Sequence, residues 1–438
     1  MNRFDVEITG SGSELQGVGR LPDGRAVFVP GAIPGERVQI EITADKGRFC
    51  EASLIEVLTP SPDRVMPDCP HAGACGGCHG RHMSYSRTLE LKRQRVYDAL
   101  TRIGGFEDPD VRKTLGCAQI NRTRNKAEYT IARKDDRIVI GAFAPGGKDV
   151  VELHDCLSQS EESIIALKWL SVQLNALPFA GHLKYMVTRT SRDGKLMLIL
   201  SGDAPVAAQL KRLSPAPDCV QSLWYCHLNR RHTHALDGAC VRIWGRPTLK
   251  EHLFDLDFEL SPQSFFQGNA PQAEILYDQA LRTAGIVPGC GLNVLDAYCG
   301  VGTITLSAAR YARSVVGIEI VPPAIENANQ NAMANGIQNA RFICADAARE
   351  ILHLLARGQS FDVVILDPPR KGADPSLLDA LAKAAIPTLV YVSCNPATLA
   401  RDLKYLHGRG IHLKSAQPID MFPWTGHVET VVLLTRNT

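Results

Sequence analysis

The sequence predicts a multidomain chain of three parts: a small OB-like β-barrel over residues 1–60, an α+β domain over 61–265 and a Rossmann-like α/β domain over 266–438. Three observations carry this reading. Short β-branched runs separated by Gly and Pro fill the first part, with turn signals such as "PDG" and "PGE" at regular spacing. In the middle, strand-like alternation in "AEYTIAR", "RIVIGAF", "YMVTRTS" and "KLMLILSG" follows one long helical segment, "SYSRTLELKRQRVYDALTRIG". From about residue 268, apolar runs alternate with helix-length stretches, the pattern of a parallel sheet covered on both faces. At 438 residues the chain is long enough for each part to bury a core.

Hydrophobic content of 45% and charged content of 21% describe an ordinary globular protein. The start, "MNRFDVEITG", lacks the basic-then-apolar layout of a signal peptide, and no apolar stretch reaches membrane-spanning length, so a cytoplasmic location and no membrane partner are expected. Thirteen cysteines, an odd number spread over the whole length, are better explained in a reducing compartment by metal ligation, catalysis and burial than by disulfides. Net charge is only +2, but basic residues cluster in "RTLELKRQRVYDALTRI" and "NRTRNKAEYTIARKDDR". Such clusters suit a solvated surface and are compatible with RNA binding.

Within the first part, "GRAVFVPGAIPGERV" resembles a TRAM domain, an OB-like RNA-binding module. Small barrels of this kind often bind single strands on one face. "TPSPDRVMPD" then reads as a linker. The second part begins with "CPHAGACGGCHG", a C-x5-C-x2-C run of Cys69, Cys75 and Cys78 in a glycine-rich loop. Four thiolates close a structural zinc or a cubane cluster, and Cys156 in "ELHDCLSQS" is the expected fourth. Spacing alone leaves zinc and iron–sulfur open.

In the third part, "VLDAYCGVGTITL" is strand, glycine turn and helix. Gly300 and Gly302 let a ligand approach the backbone, and Asp296 stands just before the turn. The pattern is D-x-x-x-G-x-G, without the third glycine of a dinucleotide fold. Glu319 ends the next strand, "VVGIEI", suited to ribose hydroxyls, and Asp346 follows in "FICAD", suited to an adenine amino group. Helix capping accounts for any one of these acids, but the set points to S-adenosyl-L-methionine.

"FDVVILDPPR" ends a strand at Asp367, with two prolines stiffening the loop. Methyltransferases that act on ring nitrogens or exocyclic amines often end this motif in an aromatic residue. Arg370 stands there instead, and Asp367 is left as an acceptor for an imide N–H such as that of uracil. The next strand, "VYVSC", delivers Cys394 to the carboxyl end of a parallel strand, where open α/β sheets place their ligands. Glu429 in "MFPWTGHVETVVLL" precedes a closing strand, with His427 two residues earlier; partial burial there raises a carboxyl pKa. These parts suit one reaction. Carbon 5 of uracil is too weak a nucleophile to take a methyl group unaided, and thiolate addition at carbon 6 activates it. Cys394 is read as the nucleophile and Glu429 as the base that removes the carbon 5 proton.

"SPQSFFQGN", "LDAYCGVGTITL", "LDPPRKG", "YVSCNPATLARDL" and "MFPWTGHVETVVLL" resemble the RNA uridine-5-methyltransferase family. With the barrel and cysteine loop the resemblance spans nearly the whole chain and is nearest the RlmD type, which acts on 23S ribosomal RNA. It implies that Gln267, Tyr298, Thr303, Glu319, Asp346 and Asp367 line the cofactor and base site. Tyr298 and Thr303 are departures, since family members often carry Phe and Asn there; "NRTRNKAEYTI" resembles the family's Arg-Asn-Lys strand, with Thr123 where an aromatic is common. The resemblance also implies a 4Fe-4S cluster on Cys69, Cys75, Cys78 and Cys156, and a monomer acting on a flipped uridine in a single-stranded loop. Transfer RNA relatives tend to lack the barrel and cluster, which favours a ribosomal substrate over a transfer RNA one. A radical enzyme is the other alternative, but that chemistry uses a C-x3-C-x2-C loop with one iron left open. A non-catalytic RNA-binding protein does not account for Cys394 and Glu429 together.

Overall fold

The structure, a computed structural model, describes residues 3–177, 179–213, 215–229 and 231–436. Strands β1 (Arg3–Ser11), β2 (Gly17–Arg20), β3 (Ala26–Val29), β4 (Arg37–Asp45) and β5 (Phe49–Thr59) close a barrel in the order β1-β2-β3-β5-β4. Alternation decides what is inside: Val6, Ile8, Val27, Val29, Val38 and Ile40 fill the interior while their neighbours face out. The buried Glu36 carboxylate accepts from the Arg64 guanidinium at 2.5 and 2.6 Å and from the Ile33 and Ser61 N–H groups. That network fastens the linker to the barrel floor.

Helix α1 (Tyr85–Ala99) starts at Ser84, whose hydroxyl accepts from the Arg87 N–H. Next come β6 (Lys126–Lys134), β7 (Arg137–Phe143), β8 (Val150–Glu152), α2 (Glu161–Asn175), β9 (Leu183–Thr190), β10 (Leu196–Gly202), β11 (Val220–Leu228) and β12 (Gly238–Gly245). Their seven-stranded sheet runs β12-β11-β10-β9-β6-β7-β8 and is antiparallel except between β10 and β11, as the alternating segments predict. Cys226 and Cys240 face each other across β11 and β12 and are joined as a disulfide, a departure from the expectation that metal ligation, catalysis and burial explain the cysteines better than disulfides. The two residues are brought opposite by strand register, which the sequence does not display.

Hairpin β13 (Leu249–Leu253) and β14 (Leu256–Leu260) precedes the expected boundary at 266, yet Leu253, Leu256, Phe258 and Leu260 pack into the core of the third part. That part continues with α3 (Ala270–Thr283), β15 (Asn293–Ala297), α4 (Thr303–Ala309), β16 (Ser314–Glu319), α5 (Pro322–Ala334) and β17 (Ala340–Cys344). It closes with α6 (Ala347–Ala356), β18 (Val363–Leu366), α7 (Pro375–Lys383), β19 (Thr388–Ser393), α8 (Pro396–His407), β20 (Ile411–Ile419) and β21 (Glu429–Arg436). The sheet order is β17-β16-β15-β18-β19-β21-β20, parallel through β19, with β21 antiparallel to both of its neighbours. Val294, Val363, Ile365 and Val390 face one apolar core, while Leu295, Val364, Leu366 and Tyr391 face the other. Strand order reverses between β15 and β18, and open sheets of this kind bind ligands at such a switch point. Helix α1 also belongs to this assembly, burying Val96 and Ala99 against it, with Leu100 just beyond its end. Among the described residues no helix is long and apolar enough to cross a membrane.

Candidate active site

At the carboxyl ends of β18, β19 and the start of β21, the structure brings Asp367, Cys394 and Glu429 together. Ser393 on β19 pairs with Thr430 on β21, so Cys394 and Glu429 stand opposite one another one step further on. Burial pushes the Glu429 carboxyl up to about 8, with the nearby Asp367 charge adding to the effect and Arg370 opposing it. Burial alone raises Asp367 to about 7. The Cys394 thiol is raised to about 11, by burial first, then by Glu429 and Asp367; Arg370 works against all three. Arg370 is thus the cation that favours the thiolate, a role the sequence reading did not give it.

Local structure explains how these groups are held. Cys394 leaves β19 just before α8, whose first turn is capped by the Asn395 side chain accepting from the Ala397 N–H. Asn395 and Thr398 both donate to the Arg370 carbonyl, at 3.2 Å each. Beyond Arg370, Gly372 takes a left-handed φ of 85°, and a Cβ there would lie 2.5 Å from Arg401 Nη2 and from Asp402 Oδ2. Buried Asp402 accepts from the Ala373 N–H at 2.8 Å and from the Tyr391 hydroxyl at 2.7 Å. The Asp-Pro-Pro loop is therefore pinned from the strand and the helix that flank Cys394.

The nucleotide end lies across the switch point. Asp296 is fully buried and its pKa rises to about 7, through burial. One of its oxygens accepts from the Thr305 hydroxyl at 2.6 Å; the other has no hydrogen-bond partner among the described residues. Gly300 and Gly302 both adopt positive φ, 55° and 89°, and Gly302 has Phe342 and Ala328 where a side chain would go. Glu319 Oε2 accepts from the Gly300 N–H at 3.3 Å while Oε1 accepts from the Ile320 and Val321 N–H groups. Asp346 caps α6 by accepting from the Arg349 N–H at 3.1 Å, and it is exposed. Thr303 opens α4 with its hydroxyl 3.3 Å from that of Tyr277. Tyr277 is a buried residue that the sequence reading missed; Gln267 and Thr303 meet its hydroxyl and Asp367 lies near it. Gln267 itself is buried, and Asn125 donates to its carbonyl at 2.9 Å, so the Arg-Asn-Lys strand holds the "FFQG" turn. Tyr298, with φ 74°, points its partly buried side chain toward Asp374. A buried carboxylate oxygen without a partner, a glycine cradle and an acid at the next strand end form a site that fits S-adenosyl-L-methionine.

Cys69, Cys75, Cys78 and Cys156 line one cavity. The Cys75 thiol is raised by burial and, more weakly, by Cys156, Cys78 and Cys69. Four crowded thiols of this kind ionise together only around cationic charge. The Gly77 N–H donates to Cys75 Sγ at 3.4 Å, and Ser158 Oγ lies 3.3 Å from Cys78 Sγ, where either atom can donate. Among the described residues no group of three or more His, Cys, Asp or Glu is disposed to hold a metal ion.

Comparison with known proteins meets this geometry from three directions. Residues 248–437 match the family model described as tRNA (Uracil-5-)-methyltransferase, and residues 2–55 match the TRAM domain. An uncharacterized RNA methyltransferase of Clostridium tetani is 37% identical over 99% of this chain and 96% of its own length. Another, from Halalkalibacterium halodurans, is 37% identical over 99% and 98%. The crystal structure of Pyrococcus abyssi tRNA (uracil-54, C5)-methyltransferase in complex with S-adenosyl-L-homocysteine superposes with a TM-score of 0.78 at 27% identity, covering 99% of this chain and 100% of that one. That transfer RNA enzyme covers this chain from end to end, so the barrel alone does not separate a ribosomal from a transfer RNA substrate. Family model, relatives and fold agree, and the chain belongs to the family of S-adenosylmethionine-dependent RNA uracil-5-methyltransferases that carry a TRAM domain.

Proposed function

We propose that this protein methylates carbon 5 of a uridine in RNA through a covalent adduct with Cys394, with 23S ribosomal RNA the substrate that the sequence resemblance favours. The observation that carries the mechanism is the meeting of Cys394 and Glu429 at opposed strand ends, beside Asp367 and Arg370. Asp367 accepts the uracil imide N–H and orients the ring. Cys394, as the thiolate favoured by Arg370, adds to carbon 6 and drives electron density to carbon 5. S-adenosyl-L-methionine, held by Gln267, Gly300, Gly302, Thr303, Glu319 and Asp346 with Tyr298 at the turn, supplies an electrophilic methyl group. Glu429 then takes the carbon 5 proton, the carbon 5–carbon 6 double bond re-forms and the thiolate leaves. Cys69, Cys75, Cys78 and Cys156 hold a 4Fe-4S cluster in this reading, supported by the thiol crowding and the donors aimed at sulfur. With four protein thiolates such a cluster would have no open iron to cleave the cofactor and would brace the loop that carries Cys69, Cys75 and Cys78.

RNA containing 5-fluorouridine, which cannot lose its carbon 5 substituent as a proton, tests the mechanism. The wild-type protein should form an SDS-stable complex and Cys394→Ala should form none; methylation by Cys394→Ala at an undiminished rate would falsify the adduct. Iron and acid-labile sulfide in equal amounts, lost in Cys156→Ser, are expected of anaerobically purified protein. Zinc instead would refute the cluster. A second substrate has a specific observation behind it, the end-to-end likeness to a transfer RNA enzyme. Mapping 5-methyluridine in ribosomal and transfer RNA from a deletion strain decides between the two.

A further inference from the structure

Trp424 lies between the cysteine loop and the strand that bears Glu429, and it is held in an unusual way. Its φ is 67°, a left-handed conformation that a bulky aromatic adopts only where its surroundings impose it. The Trp424 carbonyl accepts from the backbone N–H groups of His79 and Gly80 at 2.7 and 2.9 Å, the two residues that follow Cys78. Arg81 lays its guanidinium over the indole, 5.2 Å from the ring centre, and its fork ends on Asp68 and Asn121. The indole N–H donates to the Ile120 carbonyl at 3.1 Å. The residues that close the cysteine loop therefore hold Trp424 by its backbone carbonyl, through His79 and Gly80, and by its ring, through Arg81.

From Trp424 to Glu429 there is no slack. The Thr425 hydroxyl donates to the Phe422 carbonyl at 2.9 Å and accepts from the His427 N–H at 3.3 Å. Arg95 donates to the Gly426 carbonyl at 2.5 Å and to Ser13 of the barrel at 3.0 Å. Val428 is buried and Glu429 follows directly at the head of β21. A shift of Trp424 is thus passed to the carboxylate instead of being absorbed in a loop.

We propose that Trp424 is a positioning residue through which the cysteine loop sets the Glu429 carboxylate against carbon 5 of the bound uracil. This rests on the reading of Glu429 as the base. In the methylated adduct, sulfur is bonded to carbon 6 and carbon 5 carries both the methyl group and a proton. Glu429 takes that proton, the C–H electron pair becomes the carbon 5–carbon 6 double bond, and the C–S pair returns to Cys394. Displacing the carboxylate blocks only this exit. Addition and methyl transfer, which use Cys394 and the cofactor, still proceed.

The test uses full-length protein, methyl-labelled S-adenosyl-L-methionine and ribosomal and transfer RNA from the deletion strain. Each RNA is used with uridine and, transcribed in vitro, with 5-fluorouridine. On uridine RNA, Glu429→Gln, Trp424→Leu and Arg81→Leu should all accumulate a labelled, SDS-stable protein–RNA complex, with kcat down at least about 10²-fold and kcat/KM for RNA unchanged. On 5-fluorouridine RNA, where release is blocked whatever the base does, all three should match wild type, which shows them folded and able to reach the adduct. Trp424→Phe keeps a ring under Arg81 and should release product within a few-fold of the wild-type rate.

Normal release by Trp424→Leu overturns the proposal. So does normal release by Arg81→Leu beside a stalled Trp424→Leu, since the loop would then not act through the ring. Loss of the fluorinated complex in both Trp424→Leu and Trp424→Phe also overturns it, by placing Trp424 before methyl transfer. If Glu429→Gln itself accumulates no complex, the base assignment has failed first.

Discussion

Glu429 and Cys394 both have pKa values pushed above their ordinary range, to about 8 and about 11, and in the proposed mechanism both act deprotonated. Methylation should therefore climb with pH: kcat/KM, governed by the thiolate, by up to about tenfold per unit below pH 11, and kcat, where release by Glu429 limits turnover, by up to about tenfold per unit below pH 8. Glu429→Gln should lower kcat by about 10²–10⁴-fold and leave the remaining profile to the thiol. A second prediction concerns Asp296, whose folded pKa of about 7 lies above its unfolded value. The stability this gives is fully present below about pH 4 and is lost as pH rises through 7. Asp296→Asn should thus raise Tm at pH 8 relative to its effect at pH 5, by about 2 °C in the cofactor-free protein. Cys394, Asp367 and Glu319 were legible because each ends an apolar run, and a residue there has one place to go in a parallel sheet. Tyr277 was not, since inside α3 it reads as one more apolar residue of an amphipathic helix. Lys92 was hidden for a related reason. It falls in a basic helical stretch that reads as solvated, but is fully buried against Asp420, which lies far away in the chain.

At the scale of the element, the Asp-Pro-Pro loop shows what a local pattern conveys and what it omits. The two prolines announce a rigid turn, but the need for Gly372 comes from Arg401 and Asp402 on α8. Gly372→Ala should cost about 1–2 kcal/mol for the left-handed residue alone, and more once the clash is included. Urea unfolding measures the cost, and an undiminished midpoint would refute the packing described. Apolar runs disclosed β15, β16, β18 and β19 almost to the residue. They did not disclose that hairpin β13–β14 packs with the catalytic core, or that β21 inserts antiparallel between β19 and β20. Those facts depend on which faces meet, and a run of apolar residues does not say.

Across the whole molecule, α1 and the 420–428 segment knit the parts together. The Lys92 ammonium donates to Asp420 Oδ1 at 2.5 Å and to the Phe422 carbonyl at 3.1 Å, while the Tyr85 hydroxyl donates to Asp420 Oδ2 at 2.7 Å. Burial lowers the lysine pKa, and the Asp420 partner opposes that. Removing one member leaves a buried charge unpaired, so Lys92→Met should destabilise by about 3–5 kcal/mol in denaturant titration. A loss within error of zero would mean that water reaches the pair. Three parts were legible from the changes in pattern along the chain. Their interlocking was not, because it rests on contacts between residues hundreds of positions apart, such as Arg95 joining Ser13 to Gly426.

The strand that brings Glu429 is the last of its sheet to be made, yet it occupies an interior place between β19 and β20. A chain still emerging from the ribosome can complete the barrel and the central sheet, but it must hold a gap beside β19 until residues through 436 are free. Nascent chains arrested before that point should bind chaperones and carry no competent thiol–carboxylate pair, so methylation cannot begin until this last strand is in place.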